Sequence, residues 1–134
     1  MRKKRKYFKK VPIKEALYTQ GGSIPLNINQ SDRISFSVLR DEKNRIMKIE
    51  NISYEMSIKA KWEWVVRYDD HGGKGQLHRH YRLSLEDYSD VISMAGIRKY
   101  RNKDYELTWI CKDIKRKYLI YRSKLLKKMK LDLY

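Results

Sequence analysis

Apolar and polar residues alternate with a period of two through the middle of the chain. The alternation is clear in residues 33–39 and returns in 45–58, 59–69 and 78–85. A β-strand sends successive side chains to opposite faces, so this pattern predicts half-buried strands. Strands that follow one another through short turns favour an antiparallel β-meander, here of about four strands.

The spacing of apolar residues changes to three and four between residues 105 and 129. The stripe consists of Leu107, Ile110, Ile114, Tyr118, Tyr121, Leu125 and Met129. Such a stripe predicts a long C-terminal amphipathic helix. Packed across one face of the meander, this helix gives a two-layer α+β fold. Residues 86–97, between the last strand and the helix, are expected to form a short helical or looped segment.

The amino-terminal region is predicted to contribute little to the core. Residues 1–10 read MRKKRKYFKK and form a basic, flexible arm, whereas residues 11–134 form a single α+β domain. Residues 11–18 could form one or two helical turns. A loop is then indicated by four turn-forming residues: Gly21, Gly22, Pro25 and Asn27.

The balance of charge points to a polyanionic partner. The chain has 32 lysines and arginines against 16 acidic residues, a formal net charge of +16. A folded protein with this charge attracts nucleic acid, including ribosomal RNA, although an acidic partner protein or simple solubility would also account for it. Cys111 is the only cysteine, so no intrachain disulfide can form. With no membrane span or signal sequence recognisable, we expect a cytoplasmic protein that does not enter membranes.

The stretch YDDHGGKGQLHRHYRL, residues 68–83, holds all three histidines and half of the six glycines. The glycines favour a hairpin turn between two strands. On the second strand, alternation places His78, His80 and Arg82 on one face and Arg79 and Tyr81 on the other. As a purely structural element, this stretch would be a solvated hairpin loop without chemistry.

Two chemical interpretations of this stretch compete. His71, His78 and His80, with Asp69 or Asp70, could bind zinc, although the neighbouring cations oppose a dication. Cleavage of RNA without a metal needs instead a base, an acid and cations around the phosphate. Residues of these types are present here: His78, His80, Lys74 and Tyr68 as catalytic candidates, with Tyr81, Arg82 and the backbone amides of Gly72, Gly73 and Gly75 near the phosphate.

Three short motifs in this stretch resemble a known family. Residues 68–70 (YDD), 73–75 (GKG) and 78–80 (HRH) resemble the YDN…GKGDHRH signature of the TumE family of toxins from toxin–antitoxin modules. Asp70 stands where that family has asparagine, and Gln76 and Leu77 replace a single aspartate. The resemblance implies a toxin that acts on RNA or translation and is restrained by a cognate antitoxin protein. It implies these site residues: Tyr68, Asp69, Lys74, His78, Arg79 and His80.

From these residues we expect particular roles. His80 would be the acid or base and His78 the second titrating group, while Lys74 and Arg82 would bind phosphate. Further phosphate contacts are expected from Arg79 and from the basic arm, through Lys3, Lys4 and Arg5.

The remaining aromatic and thiol residues are expected to be structural. Trp62 and Trp64 could stack on nucleic-acid bases, but core packing is favoured, and we expect them to lie beneath the helix with Val66. Trp109 lies off the helical stripe and could pack on the loop before the helix. Cys111 is expected to be a small core residue.

The leading hypothesis is therefore a toxin-like, metal-independent ribonuclease or translation inhibitor without a cofactor. Its partners would be RNA or the ribosome and an antitoxin. The alternatives are a non-enzymatic nucleic-acid-binding protein of a mobile element or virus, and a histidine-based metal-binding regulatory module.

Overall fold

The computed structural model describes residues 17–70, 77–85, 90–93 and 102–133. In these ranges it has one six-stranded antiparallel sheet, with the strands in chain order, and one long helix. The elements are β1 (Tyr18–Pro25), β2 (Asp32–Arg40), β3 (Ile46–Ile58), β4 (Lys61–Asp69), β5 (His78–Arg82), β6 (Asp90–Ser93) and α1 (Lys103–Leu133). The predicted two-layer α+β meander is confirmed, with six strands where about four were expected. Residues 1–16, which include the predicted basic arm, lie outside the described ranges.

Strand β1 replaces the loop that Gly21, Gly22 and Pro25 indicated. It pairs with β2 along its whole length, from Tyr18 opposite Arg40 to Pro25 opposite Arg33. A Cβ added to Gly22 would lie 3.1 Å from the ring of Phe36, so this glycine allows the close approach of an aromatic side chain. β1 forms because it pairs with β2. The turn-forming residues within β1 give no indication of this pairing.

Strand β6 lies within residues 86–97, where a helical or looped segment was expected. Its four residues pair with β5, with Ile92 opposite His80. Such a short edge strand leaves little alternation to recognise. Its formation depends on the neighbouring strand.

A two-residue turn joins β3 to β4. Lys59 and Ala60 both have positive φ angles, of 52° and 63°. This is the arrangement of a type I′ hairpin turn, which usually carries asparagine and glycine. The sequence has neither residue here. Alternation alone therefore predicts that the strand begins at residue 59, two residues before β4 begins.

A β-bulge at Val65 changes the orientation of β4. Tyr54 of β3 is opposite Val66, but the next residue, Glu55, is opposite Trp64, so Val65 has no partner. The extra residue reverses the alternation. Val66 and Tyr68 face α1, whereas Trp62 and Trp64 face away from it. The expectation that both tryptophans lie beneath the helix is therefore wrong.

Helix α1 begins at a polar cap and packs along the predicted stripe. The Asn102 side chain accepts a hydrogen bond from the backbone N–H of Asp104 at 2.8 Å, and Asp104 and Glu106 place negative charge in the first turn. Four stripe residues are buried against the sheet: Ile110, Ile114, Tyr121 and Leu125. Leu107, Tyr118 and Met129 pack at the edge of the core, as does Cys111. Over the described residues, no helix has the length and apolar character that crossing a membrane requires.

Candidate functional site

Strand β5 divides its side chains between the two faces of the sheet. Arg79 and Tyr81 point towards α1, where Arg79 reaches Asp113 and Tyr81 packs on Tyr121. His80 points to the opposite side, which we call the distal face, and contacts Asp69 of β4 there. The predicted division of β5 into two faces is confirmed for Arg79, His80 and Tyr81. The two faces have different chemistry.

On the helix side of the sheet, a buried carboxylate of α1 is surrounded by four donor groups. Asp113 Oδ2 accepts hydrogen bonds from the Tyr68 hydroxyl, from Tyr121 at 3.0 Å and from Arg79 Nη2 at 3.2 Å, and Lys117 Nζ lies 3.4 Å from Oδ1. Arg79 also donates to the Tyr68 hydroxyl oxygen at 3.1 Å. We call Tyr68, Arg79, Asp113 and Tyr121 the Asp113 network. Its members are almost completely buried, so its polar groups are satisfied by one another.

Ionisation in the Asp113 network follows from these contacts. Burial alone would raise the pKa of Asp113, but the hydrogen bond from Tyr68 and the charge of Arg79 outweigh it, and the pKa of this carboxyl lies below its usual value. Burial raises the pKa of Tyr68 far above that of a free tyrosine. Tyr68 is therefore a protonated donor at neutral pH. These positions favour structural roles for Tyr68 and Arg79, which sequence reasoning had placed at a catalytic site.

A second buried carboxylate, Asp32 of β2, has a similar arrangement beside Arg122 of α1. The Tyr54 hydroxyl donates to one of its oxygens, while Asn27 and Arg122 lie 2.7 and 3.3 Å from the other. Both carboxylates are thus satisfied by a tyrosine from the sheet and a cation. The repetition indicates that such groups fasten α1 to the sheet.

On the distal face, a histidine of β5 lies beside an aspartate at the C-terminal end of β4. His80 Nε2 is 3.3 Å from Asp69 Oδ2, and these side chains are 13% and 12% exposed. His78 is opposite Asp69 in the sheet, and its Nδ1 atom is buried without a hydrogen-bond partner. Arg67 is opposite His80, with Nε 4.0 Å from Asp69 Oδ2. We call His78, His80, Asp69 and Arg67 the histidine–aspartate group.

Arg82, the last residue of β5, is held tightly by the protein. Its guanidinium donates to Glu63 at 2.7 Å and to the backbone carbonyl oxygens of Trp64, Ser84 and Leu85 at 2.9–3.1 Å. The side chain is completely buried. These contacts favour a structural role for Arg82 over the predicted contact with phosphate.

The two tryptophans of β4 lie on the distal face beneath arginines. The Arg33 guanidinium is 4.0 Å from the ring centre of Trp62, and that of Arg67 is 4.6 Å from Trp64. Arg33 also pairs with Glu55 at 2.7 Å. Both indoles are half-buried and lie outside the apolar core. Sequence reasoning missed these arginine–tryptophan pairs because the bulge at Val65 leaves no mark on the alternation.

Other predicted site residues lie outside the described ranges, namely His71, Gly72, Gly73, Lys74 and Gly75 in the hairpin and Lys3, Lys4 and Arg5 in the arm. In the part of the chain that is described, no three histidine, cysteine or acidic side chains are placed to hold a metal ion. Trp109, expected near the loop before the helix, packs edge-on against Tyr68.

A cavity of about 580 Å³ opens between α1 and the sheet. Its lining includes Tyr81 and Arg82 from β5 and several lysines of the helix, but neither His78 nor His80. It is thus separate from the histidine–aspartate group.

No family model, curated protein or solved structure matches this chain. The features that bear on its function are the geometry of the distal face and the positive charge of the chain.

Proposed function

We propose that this protein acts on RNA and cleaves it without a metal ion at the histidine–aspartate group. The observation that carries the proposal is the contact between His80 Nε2 and Asp69 Oδ2 at 3.3 Å on the distal face. A carboxylate beside an imidazole orients the ring and stabilises the cation that forms when the ring takes a proton. The net charge of +16 supports a polyanionic substrate.

The reaction we propose is attack of a ribose 2′-hydroxyl on the adjacent phosphate. His80 takes the proton of the 2′-hydroxyl, the 2′-oxygen bonds to phosphorus, and the bond to the 5′-oxygen breaks. His78, opposite Asp69, gives a proton to the leaving oxygen. The products are a 2′,3′-cyclic phosphate and a 5′-hydroxyl.

Arg67 takes the phosphate-binding role that sequence reasoning gave to Arg82. It is opposite His80, and its side chain is 35% exposed, whereas that of Arg82 is completely buried. A guanidinium at this place would stabilise the charge that develops on the phosphate. Lys74 remains a predicted second cation from the hairpin.

The resemblance to the TumE family is a second support for this proposal. We therefore also propose that a cognate antitoxin protein restrains the activity. The substrate would be free RNA or RNA on the ribosome. A cytoplasmic location agrees with such a role and is likewise proposed.

The experiment is cleavage of a labelled RNA by wild type and His80→Ala, in buffer containing EDTA. We expect wild type to cleave with a cyclic phosphate product, and His80→Ala to lose about 100-fold or more of the rate with little change in affinity. Lys112→Ala, which removes an exposed helix cation, serves as the control and should cleave as wild type does. Wild-type rates in His80→Ala, or cleavage that stops in EDTA, would contradict the proposal.

A non-enzymatic RNA-binding protein is the second candidate. The small exposed fractions of His80 and Asp69 favour it, because an attacking hydroxyl needs access to the imidazole. In this case wild type would bind RNA without cutting it. The His80→Ala variant would also leave the RNA uncut and would bind it with the affinity of wild type.

A further inference from the structure

The distal face of β4 carries two half-buried indoles that the apolar core does not use. The bulge at Val65 directs Trp62 and Trp64 away from α1, while Val66 and Tyr68 fill the core. Indoles are large apolar groups that proteins usually bury. Here each is covered by a guanidinium instead, Trp62 by Arg33 and Trp64 by Arg67.

These arginines keep part of their surface in solvent. The side chains of Arg33 and Arg67 are 28% and 35% exposed. The ion pair with Glu55 at 2.7 Å fixes Arg33 over the Trp62 ring. A planar cation that is already oriented on an aromatic ring offers a stacking surface for a nucleobase and a charge for the adjoining phosphate.

The spacing of the two pairs favours an unpaired strand. Residues two apart on one strand face are separated by roughly 6.8 Å, twice the rise of about 3.4 Å per nucleotide in a duplex strand. Bases stacked on each other in a duplex cannot occupy both positions, but bases spread along an extended single strand can. Further along the same face, Ile92 is 57% exposed opposite His80 and adds apolar surface.

The acidic residues on this face leave the arginines able to present positive charge to a ligand. Glu55 is paired with Arg33 at 2.7 Å, and Asp69 lies 4.0 Å from Arg67. In each pair the arginine is the more exposed side chain, at 28% against 18% and at 35% against 12%. The guanidinium groups over the indoles therefore border solvent more than their carboxylate partners do. The distal face thus joins stacking groups to positive charge, as single-strand-binding sheets do.

We propose that the distal face of the sheet binds single-stranded RNA, with successive bases stacked on the Arg33–Trp62 and Arg67–Trp64 pairs. This inference rests on the proposed action on RNA and names its substrate as unpaired RNA. Since Arg67 belongs both to a stacking pair and to the histidine–aspartate group, an RNA strand on β4 passes directly beside His80.

The first test is fluorescence anisotropy with a labelled, unstructured RNA and with a duplex of the same length. We expect the single strand to bind more tightly, and Trp62→Ala with Trp64→Ala to weaken it between about five- and one-hundred-fold per base contact. Equal affinity for duplex and single strand, or unchanged affinity in a folded double variant, overturns the proposal.

A second pair of variants keeps the test decisive if the alanine variant does not fold. Arg33→Gln with Arg67→Gln removes two cations above the indoles, and Lys112→Gln with Lys115→Gln removes two exposed cations of α1. Binding through charge alone predicts equal losses. Stacking predicts that the arginine variant loses about tenfold more affinity than the lysine variant.

Tryptophan emission gives a direct readout. The chain has three tryptophans, and only Trp109 packs on the helix side, against Tyr68. We expect RNA to quench wild-type emission and to have no effect on Trp62→Phe with Trp64→Phe, in which only Trp109 emits. Equal quenching in this variant overturns the proposal.

The two proposals fail in different ways. If wild type binds single-stranded RNA through the indoles but does not cut it, the cleavage proposal is wrong and the binding surface stands. If RNA is cut and His80→Ala is inactive, but Trp62→Ala with Trp64→Ala binds and cuts as wild type does, the binding surface is wrong and the cleavage proposal stands.

Discussion

Arginines beside aromatic rings occur on both sides of the sheet, but their surroundings differ. Towards α1, Arg79 contacts Tyr68 and Tyr81, is only 4% exposed and is neutralised by Asp113. On the distal face, Arg33 and Arg67 lie over indoles with about a third of their side chains in solvent. All three arginines lie near a carboxylate, but Arg79 and its partner are both buried, whereas Arg33 and Arg67 border solvent. Complete burial of the ion pair indicates a structural role, and a guanidinium at the surface can be reached by a ligand.

The largest effect should come from breaking the Asp113 network. Asp113→Ala leaves the buried Arg79 charge without its carboxylate and should lower the free energy of unfolding by about 3–5 kcal/mol. Asp104→Ala is the matched control, because this helix aspartate is 52% exposed and only 3.8 Å from Arg40. It should cost no more than about 1 kcal/mol. Urea unfolding measures the loss of stability in both variants. Similar losses would contradict the expectation that the buried ion pair stabilises the fold more than the exposed one.

A second pair of variants compares two arginines of neighbouring strands, Arg82 of β5 and Arg67 of β4. Arg82→Ala removes the buried donor to Glu63 and to three backbone carbonyls and should cost about 2–4 kcal/mol. Arg67→Ala should cost about 1 kcal/mol or less while weakening RNA binding. If Arg67→Ala destabilised the fold as much as Arg82→Ala does, the distal arginines would be structural throughout.

Acid should weaken the helix-facing side through Asp113. The pKa of this carboxyl is lower in the folded protein than its unfolded value of about 3.9, so folding favours the charged form. This stabilisation is complete above the unfolded pKa and is lost as the pH falls through the lower folded-state pKa. Urea midpoints should therefore fall below about pH 4, and Asp113→Asn should show a smaller fall. Equal pH profiles would show that other carboxyl groups dominate.

The smallest effect concerns Cys111 on α1. Burial raises the pKa of its thiol, so little thiolate forms near neutral pH. Iodoacetamide should modify it more slowly in the folded protein than in urea, and Cys111→Ser should bind RNA as wild type does. Fast modification of the folded protein would show that the helix side opens readily.

Much of the fold could be predicted from local patterns. Residues 33–39 alternate because one strand face meets the core, and the stripe from Leu107 to Met129 follows the helical period for the same reason. The edge strands could not be recognised in this way. β1 is exposed at every residue, so neither face carries an apolar pattern, and β6 has only four residues.

The candidate site could be predicted only in part. Alternation correctly placed His80 on one face of β5 and Arg79 on the other. Which arginine is buried depends on partners far along the chain, such as Asp113, 34 residues after Arg79. A one-residue bulge at Val65 then decided where Trp62 and Trp64 lie, because any shift of one residue exchanges the two faces of a strand.

The sequence by itself determined the α+β class, the antiparallel order of the central strands, the long helix and the excess of positive charge, since each of these follows from local periodicity or composition. Only the tertiary structure decided that Tyr68 and Arg79 close a buried network around Asp113, that Asp69 meets His80, and that two tryptophans lie beneath arginines on the distal face. The physical reason is that burial and charge pairing are set by neighbours in space, and a bulge or an edge pairing changes these neighbours without changing the local pattern.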